Sequence, residues 1–341
     1  MSIRSLLLTG CTPHNYPIDV IFSILDCEDG KSYEVPKVLS MDGGWGEIPS
    51  ISITDKEIKC IPKRVDILWV ALAEEKVYSL EDSIDHNILY EKIEKLNKYD
   101  SPIYIIVGCG PHGLVAMWIK NKEKSYIIYT GNARVMFNQT DTFPLCKSFI
   151  TVSTYCKATL NNQNKSIIAN EDYEKHMQQF TYRYQPLFEK WDDGEEVKWQ
   201  KYKEGDKQIP EFEYIEESLY DGTHDKLHDE GLLKYHEAGK PKKLAIKWHI
   251  KKSEYTAYFW FEDERICSIF ERFYGAHPDT KTDFIIRIDA EQKKYELALF
   301  RQGLKEPQII PEDAYQLLVF KNKFEHYRSD NYNQERGAWI W

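Results

Sequence analysis

The regular alternation of side-chain character along short segments constrains the fold of this chain more than any other feature. Every second residue from Val65 to Ala71 is apolar or aromatic, and Tyr255 to Phe261 forms a similar run. Successive side chains of a strand point to opposite faces of a sheet, so such runs predict strands with one buried face. Aromatic residues make up 14% of the chain, and many lie in these strand-like runs. We therefore predict an α+β fold with antiparallel-rich sheets and a few amphipathic helices.

The predicted helices are few. Ser83 is expected to cap the first, whose apolar face comprises Ile84, Ile88, Leu89, Ile93 and Leu96. A second helix is predicted from Glu262 to Phe273, and a last one from Pro311 to about Asn322. Each half of the chain offers a strand, an amphipathic helix, a strand, a tight turn and a strand. Two related units produced by internal duplication are therefore a hypothesis.

The composition changes along the chain and predicts three regions. Residues 1–170 form a β-rich N-terminal domain, and residues 244–341 form a C-terminal α+β unit. Residues 171–243 are polar and acidic with few sustained apolar periods, which predicts helix fragments and exposed loop connecting the two.

The formal net charge of −10 argues against nucleic acid and anionic lipid as partners. The basic clusters at Lys240 to Lys243 and Lys247 to Lys252 are short and flanked by acidic residues, so a solvated strand edge is the expected structure there. The apolar run from Leu114 to Ile119 is far below the roughly 20 residues of a membrane-spanning helix. We expect a soluble protein without a transmembrane segment.

Seven cysteines occur without a Cys-x-x-Cys pair. This pattern favours reduced thiols in a reducing compartment over a zinc site or a disulfide framework, and hence a cytoplasmic protein. Leu8-Thr9-Gly10-Cys11 matches the pattern at which bacterial lipoproteins are cleaved, but the apolar region before it is too short for a signal peptide. A first strand is the favoured interpretation. A periplasmic lipoprotein anchored at Cys11 is the alternative if the true start lies upstream.

Two motifs resemble binding sites, but a purely structural role explains each of them better. Gly108 to Gly113 spells the G-x-G-x-x-G dinucleotide fingerprint, but the apolar segment that follows suits a buried strand and not a helix, so a tight β-turn is predicted. His224 and His228 could bind a metal from one helical face, but they lie in the polar segment, where a solvated helical face is expected.

Other candidates for chemistry are equally weak. Glu74 and Glu75 could act in acid–base chemistry, whereas the helix dipole alone explains the acids at Glu262 to Glu264. No serine lies in a G-x-S-x-G elbow. The C-terminal Gly337 to Trp341 is read as a docked strand, with an exposed recognition pair of tryptophans as the alternative. We predict no catalytic, cofactor-binding or metal-binding residues.

The region from Asp192 to Asp229 combines acidic and aromatic residues, a mixture that can provide both electrostatic steering and anchors for a partner. The alternative is an acidic loop that only maintains solubility. The candidate partner-binding residues are Phe212, Glu213, Tyr214, Glu216, Glu217 and Tyr220.

Four segments in this order carry a family resemblance: Pro13 to Pro17, Gly44 to Gly46, Leu68 to Tyr78, and Gly108 to Trp118. Over roughly the first 130 residues the chain resembles the bacterial domain-of-unknown-function family twenty-nine thirty-one. Many of its members are described as lipoproteins, and some are encoded beside type VI secretion toxins, notably phospholipase effectors. The resemblance therefore implies an immunity protein that neutralises a cognate toxin. It supplies no catalytic residues.

The expected function is that of a non-catalytic binding protein whose partner is a toxin or effector protein. The alternative is a hydrolase or a small-ligand-binding protein with a pocket that no local motif reveals. A deep pocket lined by titratable groups with shifted pKa values would favour the alternative.

Overall fold

The computed structural model describes residues 6–14, 16–36, 44–48, 56–143, 150–160, 173–195, 198–202, 210–289, 294–322 and 325–330. The chain divides into two compact units, Met1–Lys175 (unit 1) and His176–Trp341 (unit 2). None of the helices in the described ranges is both long and apolar enough to cross a membrane.

The described part of unit 1 contains two five-stranded sheets. Its elements in chain order are β1 (Leu6–Cys11), β2 (Ile18–Cys27), β3 (Ser32–Glu34), β4 (Lys56–Ile58), β5 (Pro62–Ala71), β6 (Lys76–Ser83), α1 (His86–Leu96), β7 (Ile103–Cys109), β8 (Leu114–Lys120), β9 (Ser125–Asn132), β10 (Arg134–Phe137), α2 (Val152–Leu160) and α3 (Tyr173–His176), whose last residue, His176, already belongs to unit 2. The strand orders are β4-β1-β7-β8-β9 and β10-β6-β5-β2-β3. Strands β1 and β7 are parallel, and the other pairs are antiparallel.

The alternation in β5 buries one face of the strand, as predicted. Val65, Ile67, Trp69 and Ala71 are all at most 2% exposed and belong to one core cluster of unit 1. Val70, on the opposite face, is buried in a second, smaller cluster with residues of α2. The α+β fold with antiparallel-rich sheets is confirmed.

Helix α1 begins later than predicted. Its N-cap is Asp85, whose carboxylate accepts hydrogen bonds from the backbone N–H groups of Asn87 and Ile88, so the prediction of Ser83 as the cap is wrong. Ser83 is the last residue of β6, where its backbone continues the sheet pairing with β5. Three of the predicted apolar residues, Leu89, Ile93 and Leu96, are buried by the helix, whereas the prediction for Ile88 is wrong because its side chain is exposed.

In unit 2, the described residues form two six-stranded sheets. Its elements are β11 (Phe180–Trp191), β12 (Trp199–Lys201), β13 (Glu211–Leu219), β14 (His224–Leu227), α4 (Asp229–Leu232), β15 (His236–Ala238), β16 (Pro241–Ile250), β17 (Ser253–Phe261), α5 (Asp263–Tyr274), β18 (Thr282–Asp289), β19 (Tyr295–Arg301), β20 (Gln308–Ile310), β21 (Tyr315–Lys321) and β22 (Glu325–Asp330). One sheet has the order β12-β11-β18-β19-β20, with β15 also paired to β11. The other has the order β14-β13-β16-β17-β21-β22.

The two units repeat one connectivity. Strand β11 runs parallel to β18 as β1 does to β7, and the short strands β4 and β15 pair antiparallel with the beginnings of β1 and β11. The order β3-β2-β5-β6-β10 corresponds to β14-β13-β16-β17-β21. Helices α1 and α5 each follow the fourth strand of that series. This shared topology supports the hypothesis of internal duplication.

The exposed loop predicted for much of residues 171–243 is wrong, although helix fragments do occur there as α3 and the short α4. The rest of the described part of this region forms mainly strands β11 to β15, and from His176 onward it belongs to unit 2. Phe180, Tyr182 and Tyr184 are at most 1% exposed, because these aromatic rings alternate with polar residues along β11. The alternation is a strand signal that is easily overlooked in a stretch with so many charges.

Two other predictions at the C-terminal end have separate outcomes. The helix predicted from Pro311 is wrong, because Glu312–Ala314 is a single 3₁₀ turn and Tyr315–Lys321 is strand β21. A short apolar run fits a buried helix and a buried strand equally well by periodicity. The tryptophan segment Gly337 to Trp341 lies outside the described residues.

One cysteine pair departs from the prediction of reduced thiols. Cys27 and Cys60 form a disulfide with Cα atoms 5.9 Å apart. Strand pairing brings them together, because Cys27 lies opposite Pro62 in the register of β2 with β5. The pairing could not be deduced from spacing alone. Cys11, Cys109, Cys156 and Cys267 are free.

Candidate partner-binding face

The six candidate residues lie on or next to strand β13, and strand geometry divides them between two faces. Ile215, Glu217 and Leu219 are at most 4% exposed and face the core of unit 2. Tyr214 and Glu216 therefore lie on the opposite face. Glu216 is exposed and Tyr214 is partly exposed.

Glu217 is 2% exposed and is held inside unit 2. Its carboxylate accepts a 2.7 Å hydrogen bond from the Tyr184 hydroxyl and lies 3.7 Å from Nε2 of His236. Burial raises the pKa of Tyr184 well above its usual range, and the negative charge of the Glu217 carboxylate is the next largest cause of the increase. Burial alone would lower the pKa of His236, but the nearby Glu217 carboxylate reverses this and leaves a net increase. Glu217 is thus an interior hydrogen-bonding residue and not a surface anchor.

Phe212 and Tyr220 are also tied to the interior. Both are partly buried and pack against the core cluster of unit 2. The Tyr220 hydroxyl donates a 2.9 Å hydrogen bond to the backbone carbonyl of Phe261. Truncating either ring would therefore disturb the core, so neither residue gives a clean test of partner binding.

The side of this sheet that faces away from the core carries a group of aromatic and charged side chains, which we call the outer face. It comprises Tyr214, Glu216, Lys243, Lys247, Tyr258 and Trp260. On β17, Ala257, Phe259 and Phe261 point to the core, so Tyr258 and Trp260 point away from it. Both of these rings are partly exposed, and they stack with centroids 5.6 Å apart.

Lysines order the aromatic rings of the outer face. The Lys243 ammonium lies 5.0 Å from the ring centroid of Tyr258 and 5.8 Å from that of Trp260. Lys226 and Lys247 lie 4.2 and 5.6 Å from the Tyr214 ring. These separations are within the range of cation–π attraction. The rings therefore keep defined positions on a paired sheet.

Ion pairs flank the outer face. Lys247 Nζ lies 3.2 Å from a Glu213 carboxylate oxygen and 2.9 Å from one of Glu254. Nε2 of His249 lies 2.6 Å from Glu213. Burial tends to raise the pKa of Glu213, but the hydrogen bonds with His249 and Lys247 lower it overall. The charge of Glu213 is therefore already balanced by Lys247 and His249, whereas the carboxylate of Glu216 is exposed to solvent.

The segments that carry the family resemblance converge in unit 1. The hydroxyls of Tyr16 and Tyr78 each donate a 2.5 Å hydrogen bond to the Glu74 carboxylate, and the backbone N–H of His112 donates a third at 2.9 Å. Trp45, from the Gly44 to Gly46 segment, packs edge-on against Trp118 at 4.9 Å. Glu74 thus joins segments distant in sequence by accepting hydrogen bonds, which is a structural role.

The glycine motif is the tight turn that the sequence predicts. A 3₁₀ turn, Pro111–Gly113, connects the antiparallel strands β7 and β8, so no helix begins there to bind a pyrophosphate. His112 and Gly113 have φ angles of +58° and +83°, and Glu75 in the facing turn has +52°. Two non-glycine residues in this region of φ beside Glu74 indicate backbone strain held by the surrounding contacts.

The other candidates for chemistry also have structural explanations. His224 is on strand β14 and His228 precedes α4, so the helical face predicted for them is wrong.

Burial raises the pKa of the Cys11 and Cys156 thiols to about 12, which makes them poor nucleophiles at neutral pH. Cys11 itself is 2% exposed at the end of β1, the strand predicted for the lipoprotein-like motif. A cavity beside it offers about 10 Å³, room for about one water molecule.

The comparison with known families matches a part of the chain that includes all four converging segments. A family model described as "Protein of unknown function (DUF2931)" matches residues 6–191. The match begins at the first residue of β1, spans the described part of unit 1 and ends at the last residue of β11. No curated protein and no solved structure matches the chain significantly. Because the match covers more than half of the 341 residues, the chain belongs to the DUF2931 family of proteins of unknown function.

Proposed function

We propose that this protein is a non-catalytic immunity protein that binds and neutralises a cognate type VI secretion toxin through the outer face of unit 2. The observation that carries the proposal is the set of partly exposed rings of Tyr214, Tyr258 and Trp260 on one side of a sheet. Tyrosine and tryptophan are enriched among the residues that dominate binding energy at protein interfaces.

The geometry of the rings favours tight binding of a macromolecule. Tyr258 and Trp260 lie on a strand paired on both sides, and cation–π contacts with Lys243 limit their motion before a partner arrives. Side chains that are already ordered lose little conformational entropy on binding. Pre-organised aromatic anchors slow dissociation more than they speed association.

Charge supports the choice of a protein partner over nucleic acid. The chain carries a formal net charge of −10, and the exposed carboxylate of Glu216 lies on the outer face. Complementary charge on a toxin would accelerate the encounter. The raised pKa values of the buried thiols described above give no support to a cysteine nucleophile.

The test begins with capture of the partner from the native host by the tagged full chain and its identification. We expect Tyr214→Ala and Trp260→Ala each to weaken binding of that partner by at least about 2 kcal/mol, roughly 30-fold in Kd. Surface plasmon resonance measures the association and dissociation rates, and the increase in Kd should arise mainly from faster dissociation.

A matched control is available in unit 1. Tyr126 is a partly exposed tyrosine of β9 whose ring also lies under lysine ammonium groups, with Lys92 at 5.0 Å and Lys124 at 5.3 Å. Because Tyr126 also packs against the core of unit 1, circular dichroism must first show that Tyr126→Ala is folded; the folded variant should then leave the affinity unchanged. If Tyr214→Ala and Trp260→Ala fold normally and bind as tightly as the parent, the outer face is not the docking site. Capture of a small substrate in place of a toxin would favour the alternative of an enzyme.

A further inference from the structure

Three side chains able to bind a metal meet at the beginning of helix α5 in unit 2. Asp263 is the first residue of the helix and Cys267 follows one turn later, so both lie on one helical face. Nε2 of His176 lies 2.9 Å from Oδ1 of Asp263, and Sγ of Cys267 donates a hydrogen bond to the same oxygen at 3.2 Å. All three ligand atoms lie within 4.8 Å of one another.

We propose that His176, Asp263 and Cys267 bind a zinc ion, with the fourth coordination position open to water or another ligand. Imidazole nitrogen, thiolate sulfur and carboxylate oxygen are the donors that zinc takes in proteins. Tetrahedral zinc with ordinary bond lengths places such donors roughly 3.4–3.6 Å apart. The observed separations of 2.9 and 3.2 Å need to widen by only a few tenths of an ångström.

The ligands are held in place without the ion. The His176 side chain is 8% exposed, and its ring packs against the Tyr220 ring with centroids 5.0 Å apart. Asp263 and Cys267 are fixed by the helix backbone. The Asp263 side chain is 35% exposed, which leaves a route for the ion. Cys267 is only partly buried, whereas the other three free cysteines of the described ranges are buried.

The charges of the site balance when zinc is bound. A coordinating thiol is deprotonated, so thiolate and carboxylate together offset the two positive charges of zinc. The buried Lys240 interacts electrostatically with both Asp263 and Cys267. This lysine and the N-terminus of α5 oppose a bare cation, so a neutral zinc complex fits better than a hard cation with oxygen ligands.

Two other groups of ligating residues in the described part of the chain are less suitable. Cys27 and Cys60, with Asp29 nearby, are already joined by the disulfide. In the group of Glu213, His249 and Glu254, the Lys247 ammonium lies 3.2 Å and 2.9 Å from the two glutamates, where a metal would have to bind. The second group therefore provides a control.

Titration of the purified full chain with Co²⁺ tests the proposal directly. We expect one equivalent to bind, with tetrahedral visible bands and a thiolate-to-cobalt charge-transfer band, and Zn²⁺ should displace it. Cys267→Ser should remove the charge-transfer band. Both Cys267→Ser and His176→Gln should weaken Zn²⁺ affinity at least about tenfold, because even the loss of a residue that only hydrogen-bonds to a metal ligand costs that much affinity. His249→Gln should retain the parental affinity and spectrum.

The opposite results would overturn the proposal. These are the absence of saturable one-equivalent binding by the parent, binding without the charge-transfer band, or parental affinity in His176→Gln. Circular dichroism of each variant establishes that it is folded. If Cys267→Ser does not fold, His176→Gln and the parental cobalt spectrum still decide between the outcomes.

Discussion

The disulfide between Cys27 and Cys60 allows the sharpest quantitative prediction for the fold. Replacing both cysteines with alanine opens a loop defined by a sequence separation of 33 residues. Chain-entropy theory gives a loop term of about 12.5 cal/mol/K for this length, or about 3.7 kcal/mol at 25 °C. We expect the double variant Cys27→Ala/Cys60→Ala to lose about that much free energy of unfolding.

The native structure of the variant should be retained. Strands β2 and β5 are paired along almost their whole length, and the backbone N–H of Glu28 donates to the carbonyl of Ile61 at 3.1 Å. The loss therefore arises mainly from the greater conformational freedom of the unfolded chain.

Urea titration followed by tryptophan fluorescence and circular dichroism measures the change. The parent in reductant should unfold at the same urea concentration as the double variant, and the double variant itself should not respond to reductant. Cys156→Ala, which removes a free buried thiol in the same unit and keeps the disulfide, should respond to reductant as the parent does. The reasoning is refuted if the oxidised parent and the double variant unfold together, or if reductant leaves the parent unchanged.

Three further predictions concern the turn beside Glu74, the partly buried His236 and the outer face. Gly113→Ala should cost about 1–3 kcal/mol by thermal unfolding, because its φ is +83° and a Cβ would lie 2.8 Å from a backbone oxygen. Gly30→Ala, with φ +81° and open space, should cost less. The pKa of His236 is raised in the folded state, so its contribution to stability is present at low pH and lost as pH rises through that pKa. Between about pH 6 and pH 8, the parent should therefore lose more thermal stability than His236→Gln. Glu216→Gln should lower the association rate with the partner less than about tenfold and weaken its salt dependence, as stopped-flow measurements at two ionic strengths would show.

Much of the fold could be predicted from local patterns. The alternation in β5, the amphipathic face of α1 and the turn at Gly108 to Gly113 are all set by residues close in sequence. The strand β11 was missed because charged residues between its aromatic rings lower the local hydrophobicity, although the spacing of two is present. The cap of α1 was misplaced by two residues because serine and aspartate are both good N-caps.

The site was less predictable because it depends on strand register and on contacts between distant residues. Sequence alone could not show that Glu217 points inward while Glu216 points outward, since a bulge in β13 changes the register after Phe212. Tyr258 and Trp260 join Tyr214 only through the pairing of β13, β16 and β17. The meeting of His176 with Asp263 likewise depends on a contact across 87 positions.

The most direct test of the central proposal is inhibition of the captured toxin by this protein. The activity of the purified toxin is measured at a fixed concentration well above Kd while the full chain is added. We predict a linear loss of activity that ends at a fixed stoichiometry, with the toxin chemically intact, and much weaker inhibition by Trp260→Ala than by Tyr126→Ala. Full toxin activity in the presence of excess protein, or cleavage or modification of the toxin by the chain, would contradict the account of a non-catalytic immunity protein.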